Sequence, residues 1–150
     1  MPKFYRFAGK HDMYTGMYRA TPWPDKDVLF AMDDGPNVCT AGSTHPTPDK
    51  DSKLVEQVRK LPRSRQAPFD DCVPGPEWYY GFSSVEQARR WLHDDAKVEV
   101  LSQYIALYVF EVPDEHYLEG YTQTVAALNE PSVYCINTYT IEQFINGEVE

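Results

Sequence analysis

The run from Trp78 to Leu92 constrains the fold of this chain more than any other stretch. It begins as an aromatic strand, Trp78, Tyr79, Tyr80, Gly81 and Phe82, and passes into a helix through a capping signal. Ser83 stands three residues before Glu86 and Ser84 three before Gln87, so either hydroxyl can accept from an orphan amide of the first turn while the longer side chain reaches back. Ala88, Trp91 and Leu92 give that helix its inner face. A strand-to-helix corner is the expectation, and such corners commonly present hydroxyls and amides to a ligand.

The remaining elements can be read outward from that corner. Residues 3–8 alternate as a strand, 9–14 connect, and 15–20 give a second strand. Residues 21–49 hold five prolines and several aspartates around one apolar island, which reads as a long Pro/Asp-rich surface excursion. Leu54, Val55, Val58 and Leu61 form the stripe of an amphipathic helix over 52–61 that Pro62 ends, and a loop follows over 62–77. After a short helix at 94–103, residues 104–112 are apolar on both faces and take the centre of the sheet. The chain then turns at 113–116, and 117–128, interrupted by Gly120, returns against that strand as a hairpin. Residues 133–139 add an edge strand, and Thr140 with Gln143 caps a terminal helix that Gly147 closes. The predicted fold is a single α+β domain over 1–150, with a mixed, largely antiparallel sheet flanked by three or four short helices near 52–61, 84–93 and 140–146.

Charge narrows the classes of partner. Against 14 basic side chains stand 23 acidic ones, a net charge of -9, yet residues 50–65 are locally +4. A chain this acidic is repelled by nucleic acid and membrane surfaces, so neither is an expected direct partner. It is drawn to basic protein grooves, including those with which nucleic-acid-handling complexes hold their own ligand. The pairs Asp33 and Asp34, Asp70 and Asp71, Asp94 and Asp95, and Asp114 and Glu115 sit in turn contexts where they can steer such a partner, and Tyr79 and Tyr80, among 11 tyrosines, can anchor it. Cys39, Cys72 and Cys135 form no Cys-x-x-Cys pair and read as reduced thiols, with no metal site. No run of about 18 apolar residues and no secretory leader is present, so the expected location is intracellular. Walker loop, Gly-x-Gly-x-x-Gly and Ser-His-Asp order are all missing.

Two resemblances add to this reading. Gly16 to Arg19, His45 to Asp49, Tyr80 to Ser84 with its helix, Val109 to His116 and Gly120 to Val125 together resemble small proteins encoded by bacteriophages and prophages. An acidic protein of that origin is similar to anti-CRISPR proteins, which occupy nucleic-acid grooves of host defence complexes in the bacterial cytoplasm. The resemblance implies a counter-defence protein that binds and inhibits a host protein and needs no cofactor. The order of Arg6 or Arg19, then Ser83 with Ser84, then Gln123 resembles the arrangement of ADP-ribosyltransferases. That alternative implies NAD as ligand, with Arg6, Arg19 and Ser84 on the cofactor, but the chain offers Gln123 where a catalytic carboxylate is wanted. Arg6 and Arg19 as strand residues with stems over aromatics, Ser83 and Ser84 as helix caps, and Gln123 as a strand residue are the plainer accounts of the same positions.

Overall fold

A computed structural model describes residues 1–16, 51–62, 78–90 and 101–149. Arg19, the pairs Asp33 and Asp34, Asp70 and Asp71, Asp94 and Asp95, the excursion at 21–49 and all but the first residue of the 62–77 loop lie outside the described residues. The elements run β1 (Lys3–Gly9), β2 (Asp12–Gly16), α1 (Ser52–Arg59), β3 (Tyr79–Gly81), α2 (Val85–Arg89), β4 (Ile105–Glu111), a 3-10 turn (Asp114–His116), β5 (Tyr117–Glu119), β6 (Thr124–Ala126), β7 (Tyr134–Tyr139) and α3 (Ile141–Ile145). This is the α+β class expected, and every strand pairing among the described residues is antiparallel.

The strands form two sheets, ordered β2-β1-β4-β7 and β3-β6-β5. They are joined at one corner, where Tyr5 and Phe82 exchange both backbone hydrogen bonds at 2.8 and 2.7 Å. One edge of β1 therefore forks: its first half bonds to the end of β3 and its second half to β2, which curls the assembly. Residues of β1 alternate between two cores, as a strand period of two requires. Tyr5 and Phe7 join Leu107 and Val109 beneath Ala88 of α2 and Ile141 and Phe144 of α3. Phe4 and Ala8 join Ala106, Tyr108 and Phe110 against Ala126 and Leu128. The far face of the small sheet packs Val125 and Ala127 against Leu54 of α1 and Trp78.

Four expectations are corrected. Strand β2 begins at Asp12, because a two-residue link replaces the broad connection, held by the Tyr108 hydroxyl donating to the Gly9 and Lys10 carbonyls at 2.6 and 3.1 Å. Residues 117–128 do not return against β4, whose two edges are occupied by β1 and β7. They fold on themselves instead, β5 against β6, because Pro113 leads into the 3-10 turn and Gly120 donates to the Gln123 carbonyl at 2.9 Å to close a tight turn. Gln123, expected within a strand, therefore lies in the turn before β6 and is 3% exposed. Glu119 and Gln123, expected along one strand, accordingly stand on either side of that turn.

The C-terminal elements match their signals. Among the described residues β7 is an edge strand, Thr140 and Gln143 form a reciprocal capping box, and Gly147 adopts φ 77°, the left-handed conformation suited to glycine just past a helix end.

Candidate functional site

The two ends of β3 collect the residues singled out from the sequence. At its start, Arg6 is 5% exposed and lies in the fork of β1. Its Nε donates to the Met13 carbonyl at 3.0 Å, Nη2 to the Tyr14 carbonyl at 3.2 Å and Nη1 to the Tyr80 carbonyl at 2.6 Å. A planar guanidinium is the side chain suited to satisfying three backbone acceptors from two strands at once. Burial pushes its pKa down to about 10, while Tyr79, Asp12 and Tyr80 pull it back up, so it remains charged near neutral pH. The cation lies 5.1 Å from the centroid of the Tyr79 ring, and the Tyr14 ring lies 5.6 Å beyond at a 53° tilt. Tyr14 and Tyr80 are 46% and 41% exposed, so this stack ends at solvent.

At the other end of β3, Ser84 caps α2, its hydroxyl accepting from the Gln87 amide at 3.0 Å. The Gln87 side chain is buried and acts as the hub of the corner. Its Oε1 accepts from the Ser83 amide at 2.9 Å and the Thr124 hydroxyl at 3.0 Å, and its Nε2 donates to the Gly120 and Tyr121 carbonyls at 3.1 and 3.2 Å. Gln87 thus ties the β3–α2 corner to the turn that carries Gln123. The same turn meets Asp51, the N-cap of α1, which is 3% exposed. Its Oδ1 accepts from the Leu54 amide at 3.1 Å, and its Oδ2 from the Thr122 amide and hydroxyl at 2.9 and 3.1 Å. Burial alone would raise the Asp51 pKa; the amides of Thr122, Tyr121 and Leu54 and the Thr122 hydroxyl outweigh it and hold the carboxyl below its ordinary range. A side chain on Gly120 would run into Asp51 and the Gln123 carbonyl, which is why glycine stands there.

The Tyr121 and Thr122 amides and the Thr122 hydroxyl thus go to Asp51, and the Gly120 and Tyr121 carbonyls to Gln87, while Tyr121 projects from the turn, 64% exposed, with the Lys53 ammonium 5.6 Å from its ring centroid. Arg6, Tyr79 and Tyr80 are brought together at the fork, and Ser83 and Ser84 stand at the corner beside the turn that carries Gln123, with Gly81 and Phe82 between the two groups along the chain. Three of the five N–H groups of Arg6 are engaged by the protein's own carbonyls, so gripping a phosphate with them would open the fork. Of the four acidic pairs, Asp114 and Glu115 lie within the described residues, and both are exposed. Asp51 and Gln87 had not been singled out as site residues. The signal for Gln87 was its place three residues after Ser84, and for Asp51 its place at a helix start opposite Leu54. Among the described residues no group of three His, Cys, Asp or Glu side chains could hold a metal, and no helix is long and apolar enough to cross a membrane.

No curated protein and no solved structure matches the chain. A family model described as Bacteriophage T4 Y00F protein matches residues 1–142, a description that carries a phage origin and no activity. With nearly its whole length matched, the chain belongs to the Bacteriophage T4 Y00F protein family.

Proposed function

We propose that this phage protein is a counter-defence protein of the anti-CRISPR type, which binds and inhibits a host defence protein through an acidic, tyrosine-rich surface. The observation that carries the reading is the exposure of Tyr14, Tyr80 and Tyr121, whose carbonyls accept from Arg6 and Gln87, in a chain of net charge -9. Tyrosine supplies large contact area at low entropic cost, and a turn tied to Asp51 and Gln87 by hydrogen bonds fixes where the Tyr121 ring is presented. Long-range attraction from the acidic surface supplies fast association with a basic groove. Asp33, Asp34, Asp70, Asp71, Asp94 and Asp95 are the steering residues in this reading, and Tyr79 and Tyr80 belong to the anchor.

The test is phage plating on a CRISPR-immune bacterial host that expresses the chain. The reading expects plating to recover, and to be lost again on charge reversal at the six aspartates together or on Tyr121→Ala. Affinity for the captured partner should fall as salt rises. Unchanged plating across the host's interference types, or charge reversal without effect on binding, would overturn it.

A further inference from the structure

The end of α3 carries a reactive pair, Asn146 and Gly147. Of the asparagines Asn37, Asn129, Asn137 and Asn146, only Asn146 is followed by glycine. It is the C-cap of α3 and is exposed, and with Gly147 at φ 77° the helix closes in a complete Schellman motif. The Gly147 amide donates to the Phe144 carbonyl at 3.2 Å and the Glu148 amide to the Gln143 carbonyl at 2.9 Å. Glycine serves there because the left-handed backbone costs it nothing. The same missing Cβ leaves its amide nitrogen unshielded, so an asparagine before glycine meets the least steric resistance to attack by the following peptide.

We propose that Asn146 is a site of self-modification and that Arg89 is the latch that sets its rate. The Gly147 nitrogen gives up its proton to hydroxide and bonds to the side-chain carbonyl carbon of Asn146, the Cγ–Nδ2 bond breaks, and ammonia leaves. Water then opens the cyclic imide at either of its carbonyls, leaving aspartate or isoaspartate. Neither an oxidant nor a cofactor enters the balance.

The folded helix end resists this chemistry. At the Asn146 ψ of -1° the Gly147 nitrogen eclipses the backbone nitrogen of Asn146, whereas ring closure requires it to swing toward Cβ. The peptide must therefore rotate and its bond to the Phe144 carbonyl must break. Arg89 opposes that opening from α2. Its Nη2 donates to the same Phe144 carbonyl at 2.9 Å, and its guanidinium carbon lies 5.1 Å from the centroid of the Phe144 ring. One cation thus grips the ring and the carbonyl of the residue against which the turn closes, and the rate in the folded chain is the intrinsic rate times the fraction of time the turn is open. The change also opposes its own reversal: it puts a new negative charge at the negative end of the helix dipole, and isoaspartate lengthens the main chain by one atom within the cap.

Peptide mapping of the full chain by mass spectrometry, after parallel incubation in neutral buffer and in concentrated urea, tests this. Asn146 should convert in both, with isoaspartate in excess over aspartate, and about tenfold more slowly in buffer, where the turn is mostly closed. Arg89→Met should raise the rate in buffer several-fold and leave the rate in urea unchanged, while Arg89→Lys, which can still donate to the Phe144 carbonyl, should fall between. Circular dichroism confirms that the chain compared is folded; where Arg89→Met is not, Arg89→Lys against wild type makes the same comparison. An Asn146 that converts in urea but stays intact in buffer, conversion to aspartate alone, or a folded Arg89 variant with the wild-type rate in buffer overturns the proposal.

Discussion

Replacing Asp51 is the sharpest test of how the candidate site is held together. The carboxylate is 3% exposed and serves two elements at once, capping α1 through Leu54 and gripping the turn after β5 through Thr122. Asp51→Ala removes an N-cap, worth about 1 kcal/mol. It also leaves the Tyr121 and Thr122 amides without their buried acceptor, at about 1 kcal/mol each if water follows into the space. The total of about 3 kcal/mol is a large part of the stability of a domain this size, and corresponds to a fall of about 6–12 °C in melting temperature. Asp51→Asn preserves volume and the bond from Leu54, but turns an amide donor toward the Thr122 donor, so it should cost nearly as much. Urea unfolding followed by tryptophan fluorescence reads both. The folded pKa lies below the unfolded value of about 3.9, so the stabilisation is complete above about pH 4 and is lost as pH falls through the folded value. The gap between wild type and Asp51→Ala should be constant from about pH 5 to about pH 8 and close below about pH 4. An Asp51→Asn variant within about 0.5 kcal/mol of wild type, or a gap that persists unchanged to about pH 3, would refute the reasoning.

Other residues lead to further expectations. Arg6→Lys should fail to rescue what Arg6→Met loses, about 2–4 kcal/mol in urea, because an ammonium cannot reach the Met13, Tyr14 and Tyr80 carbonyls together; a stable lysine variant would make the planar fork irrelevant. Burial, chiefly, pushes the Tyr117 phenol up to about 12, so its contribution to stability is full below about pH 10 and lost as pH rises through 12. Ultraviolet titration should show a late ionising phase that disappears in Tyr117→Phe. Gln87→Leu keeps bulk but abandons the Thr124 hydroxyl and the Gly120 and Tyr121 carbonyls, and should lower stability by about 2–3 kcal/mol with faster amide exchange in the turn; protection equal to wild type would show that Gln87 is not the hub.

Much of this architecture was legible because it is local. Ser84 before Gln87, Thr140 before Gln143 and Gly147 after α3 each announce a helix end within four residues, and α3 forms where that signal placed it. The apolar run of β4 likewise announced a strand paired on both edges. What escaped was pairing, because a strand's partner is chosen by edges that become available only in three dimensions. The stretch after Pro113 has the composition of a hairpin return, yet β4 was already flanked, so it folded on itself. The site suffered in the same way. Gln87 was visible as a capping residue, but its grip on a turn more than 30 residues away depends on Gly120 letting that turn approach Asp51.

The pairing of β1 with β4 has a consequence in time. Lys3 lies opposite Glu111, so a strand synthesised early waits for one made roughly a hundred residues later. At about 5–20 residues per second, that interval is about 5–20 s, during which Phe4, Tyr5 and Phe7 have no sheet to enter. A segment with two phenylalanines and a tyrosine in four positions is a hazard while it is unpaired. Arg6 stands in its middle, and before it holds the fork it keeps that segment charged. The residue that locks the two sheets in the finished molecule thus also guards the nascent chain against aggregation until β4 arrives.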